Sequence, residues 1–281
     1  MKTLKIQYLT STPANFAEGE RTKFLLEFQA RGGTIELLDN NDEIFSALEI
    51  IRLISPQKFC GQELVRIGGG ADGGYVMVDP QQNGIAYSIG VCTMSPWDLE
   101  MANRGFMVHQ YDASIDKEPD EHPNIFFNKF FLSDIPREGP FKTMKEIIAE
   151  NHHQTKNDII LQMDIEGCEW DVLHQLSKKE LLKFKQIVIE FHDVGLSAYK
   201  YSILRKLRET HTPVHFHYNN NVDTIKLIPQ LGFIFSDRLI EVSYIRNDNL
   251  KFSANPDYYP TPLDRKNTAR YPMDIPIGHF F

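Results

Sequence analysis

Apolar positions divide the chain into stretches of different period. Over residues 15–31, Phe24, Leu25 and Phe28 suit one side of a helix that Gly32-Gly33 would end. Over 42–54, Ile44, Ala47, Leu48 and Ile51 recur at helical spacing, so residues 1–58 are expected to form a helical cap. The pattern then changes to short β-branched runs alternating with helix-period segments, the signature of βα units around a parallel sheet. The predicted strands are Ile85–Ile89, Met107–Tyr111, Ile125–Phe131, Ile159–Met163 and Gln186–Phe191, with helices over Trp97–Asn103, Thr143–Glu150 and Glu169–Leu176. Phe233–Phe235 and Ile240–Ile245, joined by Ser236-Asp237-Arg238-Leu239, predict a late antiparallel hairpin. An α/β domain over 59–246 follows, built on a mostly parallel sheet. Over 247–281, Pro256, Pro260, Pro262, Pro272 and Pro276 exclude regular structure and leave a proline-rich arm. Its Tyr258, Tyr259, Tyr271 and Phe280 suit packing on the body or on a partner, a homodimer included; a partly disordered tail is the alternative.

Composition narrows the function. With 281 residues, 42% hydrophobic and 24% charged, the chain has material for one large packed core. Thirty basic against 38 acidic residues leave a net charge of −8, which argues against a nucleic-acid binder and leaves room for a local anion pocket. No apolar run has the length of a signal peptide or a membrane span. Cys60, Cys92 and Cys168, odd in number and far apart, fit neither a disulfide framework nor a zinc site. The expectation is a soluble protein of a reducing cytoplasm.

In such sheets ligands bind beyond the carboxyl ends of the strands. The loop after the first parallel strand runs from Gly90 to Asp98. Gly90 permits a sharp turn, Ser95 suits a helix N-cap, Pro96 the first helical position, and Asp98 the acid of a capping box. Amides exposed at that helix start favour an anionic ligand group, although a plain tight βα turn has the same sequence signature. The loop is neither a G-x-G-x-x-G fingerprint nor a P-loop. Asp112 closes the next strand 22 residues after Gly90, a spacing that suits a carboxylate holding ribose hydroxyls; helix capping by Asp112 is the alternative. Loop and acid together favour S-adenosylmethionine over NAD.

Two later strands end in Asp164-Ile-Glu-Gly167 and Glu190-Phe-His-Asp193. Asp164 and Glu190 could hold a hard divalent cation, and His192 could take a proton from a hydroxyl; helix capping and internal hydrogen bonding are the plainer roles. His215 and His217 share a face if their run is extended, which suits proton transfer or packing equally. Upstream, five glycines within residues 68–74, bracketed by Arg66 and Asp72, mark a tight turn or a backbone lying against a ligand.

These strings resemble FkbM-type methyltransferases and the related methyltransferase-like proteins. The resemblance rests on Arg66-Ile-Gly-Gly-Gly-Ala-Asp-Gly-Gly-Tyr75, Tyr87-Ser-Ile-Gly90, Trp97-Asp-Leu-Glu-Met-Ala102 and Glu241-Val-Ser-Tyr244. Above all it rests on Gln162-Met-Asp-Ile-Glu-Gly-Cys-Glu169, similar to the family's K-x-D-x-E-G-x-E motif, with glutamine and cysteine where the family has lysine and alanine. It covers about residues 60–246. It implies a class I methyltransferase (Rossmann-like) fold, a seven-stranded sheet whose last strand is antiparallel. It also implies that Gly90, Ser95 and Trp97 meet the methionine part of S-adenosylmethionine, that Asp112 holds its ribose, and that Asp72, Gly73 and Tyr75 close over it. Family members mostly methylate hydroxyls of sugars or sugar-containing metabolites, some with Mg2+. The implied activity is therefore O-methylation of a sugar or small metabolite, a surface-glycan precursor for instance. Asp164, His192 and His217 would act in catalysis, and Asp164 with Glu190 would bind the metal. Tyr75 or Trp97 would face the sulfonium. An NAD-dependent oxidoreductase and a non-catalytic cofactor-binding domain are the competing readings.

Overall fold

The computed structural model describes residues 18–278 other than 60, 62, 230 and 249. Cys60, Phe280 and the first residues of the helix expected over 15–31 lie outside the described residues. Seven strands form the central sheet: β1 (Gly84–Ile89), β2 (Phe106–Tyr111), β3 (Ile125–Asn128), β4 (Ile159–Met163), β5 (Phe184–His192), β6 (His211–Tyr218) and β7 (Leu239–Arg246). Their spatial order is β3-β2-β1-β4-β5-β7-β6. The first five are parallel neighbours, and β7 runs antiparallel between β5 and β6. Every residue of β4 is buried, as covering both faces of a parallel sheet requires. Chain order reverses between β1 and β4, so the crevice beyond their carboxyl ends is the topological switch point.

Besides a single turn at Lys178–Leu181, the helices among the described residues are α1 (Glu18–Ala30), α2 (Asn41–Ile54), α3 (Pro96–Asn103), α4 (Met144–Glu150), α5 (Glu169–Gln175) and α6 (Ala198–Arg208). One face of the sheet, through Tyr87, Ile89, Leu161, Met163, Ile187 and Ile189, shares a core with α1, α2, α4, α5 and α6. The other, through Ala86, Val108, Ile160 and Val188, packs against α3 and the hairpin of Leu64–Ile67 with Tyr75–Val78. Strand alternation therefore sends Ser88, Gln110, Gln162 and Glu190 toward the hairpin side.

The late hairpin differs from expectation. Phe233–Phe235 pairs with Thr224–Ile228, which also pairs with Thr34–Leu37 between α1 and α2. β7 has a long partner on each side and no edge left for residues 233–235. The two apolar runs are real, but turn signals between them do not fix which strand each one joins. The N-terminal helices include the short strand Thr34–Leu37, and Phe24, Leu25 and Phe28 belong to the main core. After β7 the chain forms a three-residue strand, Phe252–Ala254, on Gln57–Phe59, and then runs without regular elements, burying Tyr259, Tyr271, Ile275 and Ile277. No helix among the described residues is long and apolar enough to cross a membrane.

Candidate functional site

At the switch point Gly90 has φ +83, and a Cβ there would lie 1.7 Å from the Asp164 carbonyl oxygen. The need for glycine thus comes from the close approach of this loop to the end of β4. Asp112 fixes the loop from the β2 side. Its Oδ2 accepts from the amides of Val91 and Cys92, each at 2.9 Å, and its Oδ1 from Ser114 N at 2.7 Å and Ser114 Oγ at 2.6 Å. Burial opposes ionisation, but these bonds outweigh it and hold the carboxyl below its usual range. No helix directly follows Asp112, so the capping alternative is not realised; the acid makes a local turn with Ser114 and grips the Gly90 loop instead.

Ser95 occupies the N-cap of α3 without a capping bond; its hydroxyl reaches Asp120 at 3.1 Å instead. Asp98 is buried rather than folded back as a capping-box acid. Trp97 is buried, its indole N–H directed at Met77 Sδ. The glycine-rich segment is the turn of a hairpin, as its simpler reading required. Arg66 is used within that turn, donating to the carbonyls of Gly69 and Ala71. All the same, Asp72, Gly73, Tyr75, Gly90, Ser95, Trp97, Asp112 and Asp164 line one cleft of ≈ 330 Å³. A larger cavity of ≈ 550 Å³ near Phe59, Val214 and Tyr258 contains none of these residues. Its size carries less weight than the convergence of polar groups in the first.

Beside the cleft, ligand atoms of Asp164, Glu190 and His192 lie within 4.8 Å of one another. Tyr75 OH donates to Asp164 Oδ2 at 3.4 Å, and Asp164 Oδ1 has no hydrogen-bond partner. Burial, reinforced by nearby carboxylates, raises both acids: Asp164 to about 7 and Glu190 well above the ordinary range. Asn219 Nδ2 donates to Glu190 Oε1 at 3.0 Å. His192 Nδ1 meets Glu169 Oε1 at 3.1 Å, while Nε2 points toward Glu166 at 3.3 Å and Asp164 at 3.8 Å. Burial lowers the pKa of His192, but the Glu169 bond and the surrounding carboxylates raise it on balance. Glu169 is itself fixed by the amides of Ile165 and Gly167.

His217 does not line the cleft. Its Nδ1 faces Glu241 at 3.1 Å and its Nε2 faces Asp274 of the C-terminal segment at 3.0 Å. Burial disfavours its charge, yet the two carboxylates prevail and raise its pKa well above the usual imidazole value. With both nitrogens engaged as donors, it is an imidazolium rather than a free base. His215 meets Asp264 through Nε2 alone, at 2.8 Å, and its Nδ1 has no hydrogen-bond partner.

Sequence reasoning gave no site role to Glu169, Asn219, Glu241 or Asn267, although Glu169 and Glu241 stand in strings that carry the resemblance. Glu169 had a local signal, as the last acid of the Asp-Ile-Glu-Gly-Cys-Glu string. Asn267 had none: its amide donates to Asp72 at 2.9 Å and to Glu241 at 2.6 Å across long chain separations.

The glycine-tight loop and the Asp112 carboxylate beside it fit a ligand with hydroxyl donors and a slim polar chain, as S-adenosylmethionine has. Among curated proteins none matches the chain. The methyltransferase FkbM domain matches residues 75–235, from the end of the glycine-rich turn to the strand before β7. That span is more than half of the 281 residues and contains β1 to β6 with the Asp164, Glu190 and His192 cluster, so the chain belongs to the FkbM methyltransferase family.

Proposed function

We propose that this chain is an S-adenosylmethionine-dependent O-methyltransferase whose acceptor is a hydroxyl of a sugar or sugar-containing small metabolite. The observation that carries this reading is that the Gly90 loop, Asp112 and Asp164 border one switch-point cleft. When bound there, S-adenosylmethionine supplies a methyl group made electrophilic by its sulfonium. Gly90, Ser95 and Trp97 shape the floor for its amino-acid part, and Asp72, Gly73 and Tyr75 cover it. Asp112 takes the ribose by exchanging the Ser114 hydroxyl for a ribose hydroxyl, while its other oxygen keeps the loop in place.

A sugar hydroxyl is a weak nucleophile, so it must be aligned and must lose its proton as the new bond forms. His192 is assigned to this. Glu169 fixes Nδ1, and Nε2 stands beside the cleft facing Glu166 at 3.3 Å and Asp164 at 3.8 Å. Nε2 cannot both ligate a metal and accept a proton. Mg2+ prefers oxygen donors, so Asp164 and Glu190 are assigned to the cation and His192 to the proton. A cation there would offset the two buried carboxyls and make the acceptor hydroxyl more acidic. His217, with both nitrogens bonded, anchors the C-terminal segment instead.

The test is calorimetric titration with S-adenosylhomocysteine and, separately, NAD, with Mg2+ present or chelated. Micromolar binding of the thioether, no response to NAD, and subsequent methyl transfer to a sugar panel are the expected results. Binding of NAD alone would replace the reading with an oxidoreductase, and cofactor binding without transfer to any acceptor would favour a non-catalytic domain.

A further inference from the structure

Asp98 is the third residue of α3 and lines the cleft, yet it is only 4% exposed and its Oδ1 has no hydrogen-bond partner. The sheet beneath it is polar. Gln162, Ser88 and Gln110 are register neighbours across β4, β1 and β2. Ser88 donates to Gln162 Oε1 at 3.0 Å. Gln110 is 0% exposed, and neither its Oε1 nor its Nε2 has a partner. Asp98 Oδ1 and both amide atoms of Gln110 thus lack a well-aligned hydrogen bond, although Ser88 and Gln110 lie close enough to the Asp98 carboxyl to favour its charged form.

Asp98 also lacks a counter-ion, having no salt-bridge partner among the described residues. Ser88, Gln110 and its own helix amide favour its charged form as neutral donors, while Asp120, a second carboxylate, opposes it. Burial is the largest influence and raises its pKa to about 6, which still leaves it mainly ionised at neutral pH. A buried carboxylate with an unfilled acceptor and no cation nearby is costly unless a ligand completes it.

We propose that Asp98 is the binding residue for the methionyl ammonium of the cofactor. This rests on the reading of the cleft as an S-adenosylmethionine site. Two cationic groups of that molecule could approach a carboxylate, and the orphaned oxygen discriminates between them. An ammonium carries three N–H donors and can fill Oδ1; a sulfonium carries none. The sulfonium belongs instead on the Asp164 side, next to His192 and the acceptor. Asp98 stands at the start of α3, beside Ser95, which the same reading places at the amino-acid end.

The experiment uses the intact protein and its Asp98→Asn variant, titrated calorimetrically with S-adenosylhomocysteine, its deaminated analogue and S-adenosylmethionine. The analogue keeps the carboxylate and the adenosine and lacks only the ammonium. Wild-type protein should bind S-adenosylhomocysteine at least tenfold more tightly than the analogue. Asp98→Asn should lose that preference, binding both with the affinity the wild type shows for the analogue. Equal wild-type affinity for the two ligands would overturn the assignment without reference to any variant. So would a variant that weakens both equally, or one that weakens S-adenosylmethionine while leaving S-adenosylhomocysteine unchanged. Wild-type protein that binds none of the three would overturn the cofactor reading itself, and the assignment with it.

Discussion

Replacing Gly90 with alanine separates two reasons for a glycine that a sequence cannot distinguish. At φ +83 any side chain is strained, by about 1–2 kcal/mol. Gly32, after α1, has a similar φ of +89 but open space where its Cβ would lie, so Gly32→Ala should show that backbone cost alone. Gly90→Ala must also relieve a 1.7 Å overlap with the Asp164 carbonyl, which rigid main chain cannot avoid. The loop and the end of β4 have to part, at the expense of the Asp164 N–H to Ile89 O bond (2.9 Å) and the Gly90 N–H to Tyr111 O bond (3.0 Å). At about 1 kcal/mol for each bond, plus the lost packing, the total comes to roughly 4 kcal/mol. Urea unfolding of both variants measures the difference, expected near 2–3 kcal/mol at an unchanged m-value. S-adenosylhomocysteine titration of Gly90→Ala should show binding weakened at least tenfold, and Gly32→Ala should bind as the wild type does. Equal destabilisation by the two substitutions, or full ligand affinity in Gly90→Ala, would refute the close-approach argument.

Other outcomes follow from the same geometry. His192→Gln should lower kcat by about 10²–10⁴ with S-adenosylhomocysteine affinity nearly unchanged, measured by single-turnover transfer and titration. Because Glu169 raises the His192 pKa, Glu169→Gln should displace the pH–rate profile to lower pH; an unmoved profile would remove Glu169 as its partner. Mg2+ titrated alone into the protein should give heat that Asp164→Asn and Glu190→Gln abolish, and chelation should reduce turnover. His211, buried with Nε2 against the Phe184 carbonyl at 2.9 Å, is lowered by burial from 6.5 to about 4. Its neutral form is the one the fold stabilises. Its contribution, roughly 3 kcal/mol, is therefore complete above about pH 6.5 and is lost as pH falls toward 4. Urea midpoints at pH 7 and pH 4.5 should differ less in His211→Gln than in the wild type.

The parallel core was legible because strands buried on both faces must be apolar along their whole length, as Ile159–Met163 nearly is. β6 was not legible. All eight of its residues are buried, yet they include His211, Thr212, Pro213, His215 and His217. Those polar groups are tolerated because distant residues satisfy them: the Phe184 carbonyl, Asp264, Glu241 and Asp274. Nothing in the local pattern announces such partners. The same distinction divides the site. Gly90, Asp112 and Asp164 were found because each ends a strand and the fold brings strand ends together. The roles of His192 and His217 depended on which acids face each ring, and that is a long-range property. Two histidines that looked equivalent in the sequence differ in their surroundings: His192 meets buried Glu169 with one nitrogen and the exposed Glu166 with the other, while His217 is enclosed between two largely buried carboxylates.

That difference bears on where acceptor choice resides. Glu190, Glu241 and His217 stand in register across β5, β7 and β6, so the row of polar groups beside the cleft is continuous. Its outer end is completed by Asp264, Asn267 and Asp274, all from the segment after β7. Two of these are carboxylates, and each stands opposite one buried histidine. The third is an amide that bridges Asp72 and Glu241, the latter already paired with His217. A carboxylate at position 267 would set a third acid against these two, so a neutral donor is the group that lets the segment lie against them. The family match ends at Phe235, ahead of all three residues. On the proposed function, the cofactor chemistry therefore lies in the shared domain, while the surface met by the acceptor is completed by this chain's own C-terminal segment, as expected when one fold serves many substrates.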